Sequence, residues 1–195
     1  MGRGQADASL YELLRRFDED LAEEAREQGC PHDGGVLHRA DYERRPRGGP
    51  ATLGRKDRTR ISYCCAEPGC RKRMTPPSMR FLGRRVYLGA VVVLVSAMRH
   101  GLLGRRVAEL RELLGVARST LVRWRRWWRE TFAHSPCFEM LRGHLADPVD
   151  LGRLPAALLE RFDGDERQRL VALLRVLLPL TTTSWSETSR WPMDR

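Results

Sequence analysis

Residues 107–130 read VAELRELLGVARSTLVRWRRWWRE, and the spacing of their apolar positions decides the fold. Val107, Leu110 and Leu114 recur at helical intervals. Gly115 permits the positive φ at which a helix turns off, and Val116 plugs the corner that follows. Ser119 or Ala117 can open a second helix, in which Leu121, Trp124 and Trp128 at i, i+3 and i+7 form the inner side. The outward side carries Arg118, Ser119, Val122, Arg123 and Arg126, with Arg125 and Arg129 at its flank. The pattern predicts two helices joined by a tight turn, apolar behind and studded with guanidinium groups in front.

Upstream, Val86, Leu88, Val91, Val92, Leu94 and Val95 supply the first helix of a three-helix bundle, giving helical segments near 84–100, 105–114 and 118–132. The apolar run that begins at Val86 has about 13 residues, where a membrane span needs roughly 20. Downstream, helices are expected over 155–162 and 165–178, where Leu170, Leu173, Leu174, Leu177 and Leu178 form an apolar side able to cover the core or dimerise. Residues 180–195 show no period and are expected to be disordered. At the other end, Ser9 and Glu12 make a capping box, and Leu10, Leu13, Leu14, Phe17, Leu21 and Ala25 define an amphipathic helix up to Gly29.

Between Cys30 and Pro77 the pattern changes to short β-prone pieces, Val36-Leu37-His38 and Arg60-Ile61-Ser62-Tyr63, broken by glycine and proline. Thr75-Pro76-Pro77-Ser78 reads as a linker. The expected fold is mainly α with a small β, zinc-ribbon-like module, a three-helix helix-turn-helix bundle and C-terminal helices. The expected divisions are 1–29, 30–77, 78–133, 134–179 and 180–195.

The β-prone segment holds CPHDGG, with Cys30 before a Gly-Gly turn, and RISYCCAEPGCRKR, with Cys64, Cys65 and Cys70 around a second turn. Zinc takes about four tetrahedral sulfur or nitrogen ligands, and tight turns let paired side chains converge on it with little backbone cost. Cys30, Cys65 and Cys70 are three candidate thiolates. Asp33 stands where a Cys-x-x-Cys knuckle would carry its second cysteine, and His32 or His38 are alternates for the fourth position. Cys64 is the alternate to Cys65, because neighbours on a strand point to opposite faces. A structural Zn²⁺ is the expected cofactor.

Residues 30–75 resemble the zinc-ribbon modules near the N-terminus of bacterial transposases and related mobile-element proteins, on CPHDGG, the cysteine group and the basic RKRMTPPS that follows. Residues 107–130 resemble the helix-turn-helix shared by transposases and bacterial regulators. The resemblance implies that the second helix enters the major groove, where arginine can bond bidentately to guanine O6 and N7. Arg118, Ser119, Thr120, Val122, Arg123, Arg125, Arg126 and Arg129 are then the candidate DNA-contacting residues, with Arg125 and Arg129 nearer the phosphate backbone. Arg111 departs from the family, which has a small residue there packed against the second helix.

Charge points the same way. The 195 residues carry a net charge of +10, and cationic side chains bound to phosphate release condensed counterions. The charge is segregated: acids dominate residues 7–28, and arginines dominate 55–85 and 101–130. Residues 1–28 lack the apolar stretch of a secretory leader, so a cytoplasmic, nucleoid-associated chain is expected, with duplex DNA as partner, a homodimer through the C-terminal helices as a further option, and no membrane or small-molecule substrate. No enzyme is expected. His32, His38, His100, His134 and His144 are scattered, Cys137 has only His134 near it in sequence, no Gly-rich phosphate loop occurs, and the stretch after Glu130 is too short for a two-metal nuclease domain. A dimeric transcriptional regulator and a zinc-stabilised RNA or protein interaction module are the alternatives.

Overall fold

The structure is a computed structural model, and it describes residues 3–44, 53–82, 87–89, 117–145 and 147–182. The architecture is mainly helical with a small antiparallel β module. The first half of the expected helical hairpin, with Val107, Leu110, Arg111, Leu114, Gly115 and Val116, lies outside the described residues, as do Val86, Val91, Val92, Leu94 and Val95 and the chain beyond residue 182. No helix among the described residues is long and apolar enough to cross a membrane.

Helix α1 spans Arg3–Glu27. It starts before the Ser9-Glu12 box, so Ser9 is no cap; its hydroxyl and carbonyl instead accept the Arg167 guanidinium at 3.2 and 3.0 Å. The stripe that α1 buries most deeply is Tyr11, Leu14, Asp18 and Ala22, one helical face at i, i+3, i+7 and i+11. The expected Leu10, Phe17 and Leu21 flank it, partly buried. A carboxylate therefore sits in the middle of the apolar stripe, and three donors keep it there. Asp18 accepts from the Ser78 hydroxyl at 2.6 Å, the Met79 N–H at 2.6 Å and Arg80 Nε at 2.8 Å.

Strand β1 (Leu37–Arg39) pairs with β4 (Tyr63–Cys65), which pairs with β5 (Arg73–Met74), all antiparallel. A second pair joins β2 (Tyr42–Glu43) to β3 (Thr59–Arg60), with the four-residue helix α2 (Arg55–Arg58) leading into β3. Leu37, Ile61, Tyr63 and Cys65 form the module's own small core together with Ala22 of α1 and Cys30. The Tyr63 hydroxyl donates to the Ala22 carbonyl at 3.0 Å, fastening β4 to the last turns of α1.

Residues 75–78, expected to be a linker, are interior. Pro76 and Ser78 are buried, the Arg60 guanidinium donates to the Pro76 carbonyl at 2.6 Å, and the Ser78 N–H donates to the Thr181 hydroxyl at 3.0 Å. Thr181 and Leu180, expected to belong to a disordered tail, are buried in a turn that opens at Leu178-Pro179. Strand β6 (Phe81–Leu82) then pairs with β7 (Tyr87–Leu88), where the sequence pattern had placed the start of a helix. Two-residue strands leave no hydrophobic period to read.

Helix α3 (Arg118–Arg126) widens into a π turn over Trp127–Thr131, with the Phe132 N–H reaching back to both the Trp127 and Trp128 carbonyls, and closes in a 3₁₀ turn at Phe132–His134. The wide turn lets the adjacent Trp127 and Trp128 both face inward beside Leu121, Trp124 and Phe132. Edge-on contacts run from Trp128 to Phe132 at 4.8 Å and from Phe132 to Phe138 at 5.4 Å between ring centres. Helix α4 (Pro136–Gly143) begins with proline at its first turn and a Ser135 cap whose hydroxyl accepts from the Phe138 N–H. Helices α5 (Ala156–Leu159) and α6 (Glu166–Val176, capped by Asp165) complete the core. Leu170, Leu173, Leu174 and Leu177 are buried in this core, against the same cluster as Leu14, Phe81 and Trp124.

Asp18→Ala leaves the Arg80 guanidinium buried without its counter-ion, and is expected to destabilise the protein by about 3–5 kcal/mol. Urea unfolding of the variant checks this; a loss within a few tenths of the wild-type value would mean that the pair is dispensable.

Candidate functional site

The first knuckle is set by glycine. Gly29 ends α1 at φ +76°, where a Cβ would stand 2.9 Å from the Gly34 carbonyl oxygen, and Gly34 takes φ +72°. Between them the Cys30 N–H donates to the Gly35 carbonyl at 2.9 Å and the Gly34 N–H to the Cys30 carbonyl at 2.7 Å, closing a tight loop. The second knuckle leaves β4 at Cys65, whose N–H donates to the Lys72 carbonyl at 3.0 Å. Its tip is folded by the Cys70 and Arg71 N–H groups, which both donate to the Glu67 carbonyl. Arg71 adopts φ +48° there.

The two knuckles bring Cys30, Asp33, Cys65 and Cys70 together, with all four ligand atoms within 4.8 Å of one another. The Cys30 and Cys70 sulfurs are 3.8 Å apart, and the Cys65 sulfur lies 3.4 and 3.5 Å from the two Asp33 carboxylate oxygens. Cys30 and Cys65 are buried, Cys70 is half-buried and Asp33 is exposed. The cluster could hold a metal ion.

Strand alternation sorts the alternates. Cys64 points away from the cluster, and its thiol donates to the Arg71 carbonyl at 3.3 Å. His38 pairs with Cys64 in register on the outer face of the sheet and is exposed, as is His32; neither joins the cluster. Gly35 was not singled out by sequence, yet it bounds the site. A Cβ there would meet Glu67 Cγ at 2.6 Å and the Cys65 sulfur at 3.1 Å, and its N–H donates to Asp33 Oδ1 at 3.0 Å. The doubled glycine is the signal that marks it.

Electrostatics follow from these contacts. The Gly35 N–H, then the thiols of Cys30 and Cys70, hold the Asp33 carboxyl well below the usual carboxylate range. Burial pushes the Cys65 thiol up to about 12, against the pull of the Glu67 N–H, and the Asp33 carboxylate adds to the rise. A cation entering this set displaces thiol protons, so its affinity increases with pH.

The eight expected DNA-contacting residues divide by position. Arg118, Ser119, Val122, Arg126 and Arg129 are exposed, and four of them, 118, 122, 126 and 129, form one stripe along the helical segment. Arg123 and Arg125 are half-buried at its edges, the latter with its guanidinium pKa lowered by burial and then by the nearby Arg129 charge. Thr120 is on the inner side, 9% exposed, with its hydroxyl accepting from Arg123 at 3.1 Å. Arg126 is ion-paired with Glu130 at 2.5 Å, whereas Arg118 and Arg129 have no carboxylate partner among the described residues.

Cys137 is buried, with its sulfur 3.9 Å from the Val176 carbonyl oxygen. Comparison of the chain with protein-family models, with curated proteins and with solved structures finds no match.

Two measurements probe these cysteines. Cys65→Ser is expected to abolish metal retention and Cys64→Ser to leave it intact, as read by metal content after dialysis; the reverse order would misassign the strand faces. Burial raises the Cys137 thiol to about 11, which favours its neutral form in the fold. Alkylation of Cys137 in the native protein is therefore expected to be negligible at pH 7–8 and to appear only as the pH approaches that value or the chain unfolds. Peptide mapping after iodoacetamide checks it.

Proposed function

We propose that this chain is a non-enzymatic, zinc-stabilised DNA-binding protein related to transposases, reading duplex DNA with the helix that starts at Arg118. The observation that carries the reading is the two-sidedness of that helix. Leu121, Trp124 and Trp128 are fully buried behind it, while Arg118, Ser119, Val122, Arg126 and Arg129 are presented outward. A cationic stripe on a helix so firmly braced suits a major groove: guanidinium groups reach guanine edges or phosphates, and Val122, 47% exposed, offers an apolar contact of the kind that thymine methyl groups accept. The motif resemblance at 107–130 supports the same docking.

Zinc is the metal that the donor set suits. Tetrahedral Zn²⁺ with Zn–S of about 2.3 Å and Zn–O of about 2.0–2.2 Å requires sulfur–sulfur edges of about 3.8 Å and sulfur–oxygen edges of about 3.6 Å. The 3.8 Å between Cys30 and Cys70 and the 3.4–3.5 Å between Cys65 and Asp33 agree with both. Four protein ligands leave no open position for a substrate, so the ion's role is to fold a module whose own core is a handful of side chains, at a gain on the order of 10 kcal/mol. The leucines that could have served a dimer are spent on the chain's own interior, which favours binding as a single copy over the dimeric-regulator alternative.

The test is binding to a labelled duplex of mixed sequence, titrated against salt and against competitor RNA. Arg126→Ala is expected to weaken binding by roughly 5- to 30-fold, and Glu130→Gln, which frees Arg126 from its ion pair, to strengthen it. Absence of duplex binding at about 0.1 M salt, or equal displacement by RNA, would overturn the reading.

A further inference from the structure

The small β module carries a second cationic site, distinct from the helix. Tyr42 on β2 lies beneath two arginines: the Arg44 guanidinium carbon is 4.7 Å, and that of Arg73 on β5 is 5.3 Å, from the ring centre. Two like charges are thus held within about one Debye length of each other, ~10 Å at 0.1 M salt, so their repulsion is only partly screened.

Several other arginines of the described surface are paired with carboxylates. Arg39 is neutralised by Glu19 and Asp41, Arg55 and Arg58 share Glu43, Arg153 meets Glu160 and Arg161 meets Asp147. Arg44 and Arg73 have no carboxylate within ion-pair distance among the described residues. Their partners are neutral. Arg44 donates to the Tyr42 hydroxyl at 3.4 Å, and Arg73 donates to the Ala40 carbonyl at 3.0 Å and the Ser62 hydroxyl at 3.2 Å. The third cation nearby, Arg60, pairs with Tyr42 in register and is buried, its pKa lowered to about 10 by loss of hydration. Among the described residues, the charges of Arg44 and Arg73 are therefore not balanced by an ion pair. The half-buried Arg44 and the exposed Arg73 are stacked and hydrogen-bonded in place, so little side-chain entropy remains to be lost when an anion arrives.

We propose that Arg44 and Arg73, held on the Tyr42 ring, form a phosphate clamp that grips the backbone of the same duplex that the Arg118 helix reads. This rests on the DNA-binding reading above and adds to it a sequence-independent contact on the metal-stabilised module. Phosphate contacts fix register without reading bases, and a cation held against an aromatic face by neutral partners supplies that kind of contact.

Salt dependence tests it, with full-length zinc-loaded protein and a labelled duplex of mixed sequence between about 50 and 200 mM salt. Each phosphate contact contributes about 0.9 to the slope of log K against log salt. Arg44→Gln is expected to lower the slope by about one contact and to weaken binding equally on different duplex sequences, with Arg44→Lys restoring most of the slope. Arg44 is the cleaner variant, because Arg73 also ties together Ala40 and Ser62; unchanged zinc content and far-ultraviolet dichroism verify that Arg44→Gln folds. A folded Arg44→Gln variant with the wild-type slope overturns the clamp while leaving the helix reading intact. Wild-type protein that fails to bind duplex overturns both. Dependence on Arg44 for duplex RNA but not for duplex DNA would overturn the choice of partner.

Discussion

A single buried ion pair ties the three parts of this structure together. Asp18 of α1 and Arg80 are each 1% exposed and 2.8 Å apart. Around them the hydrogen bonds are dense. Asp18 also takes the Ser78 hydroxyl and the Met79 N–H, and Arg80 reaches on to the carbonyls of Lys56, Asp57 and Thr59 at the end of α2. Two desolvated charges are costly unless every remaining lone pair and proton is satisfied, and here the satisfying groups come from α1, from α2 and β3, and from the segment leading into β6. The pair thus sets how the β module and the helical core share α1. The N-terminal half of that helix contributes Tyr11 and Leu14 to the cluster that holds Phe81, Trp124 and Leu174, and Ala22 toward its C-terminal end joins the cluster of Leu37, Tyr63 and Cys65.

That arrangement also explains what was legible in the sequence and what was not. Helical periodicity located α1, α3 and α6 because each buries one stripe, and it correctly put Leu121, Trp124 and Trp128 behind the arginines. It centred α1 slightly off, because a hydrophobic stripe is read from apolar residues and the most deeply buried face includes Asp18. Charge is a surface signal until a partner far along the chain makes it an interior one, and nothing local to residue 18 announces residue 80. The prolines at 76 and 77 read as punctuation for the same reason. Proline marks a change of direction, and only the donors and acceptors around it show whether the turn lies in water or in the core.

The knuckles were legible because their signal is chemical. Cys30, Asp33, Cys65 and Cys70 were named from turn residues and soft ligands, and alternation along β4 separated Cys65 from Cys64. The short strands, the burial of Leu180 and Thr181 and the role of Gly35 were not legible. Two-residue strands have no period, Leu180 and Thr181 are held by residues a hundred positions away, and Gly35 matters through the space that Glu67 and Cys65 occupy.

Asp33 is where these levels meet. As a carboxylate it is a harder ligand than the thiolate that the knuckle pattern would otherwise place there, and with three thiolates it gives the set four negative charges when fully deprotonated. A bound divalent ion would cancel half of them. The remainder sits on a module otherwise rich in cations, with Arg71, Lys72 and Arg73 on the chain immediately after Cys70. With a divalent ion bound, the knuckles would keep a net negative charge beside these cations, so that the module could hold an anionic centre and still present a net cationic surface. Gly35 serves the same balance from the backbone side. Its N–H binds the Asp33 carboxylate, lowering its proton affinity without adding another charge. Its missing side chain leaves room for the Cys65 sulfur to approach. A knuckle offering one oxygen donor is thus workable here because Gly35, two residues on, supplies both a hydrogen-bond donor and a space, and because the loop is anchored at Gly29, two residues past the end of α1.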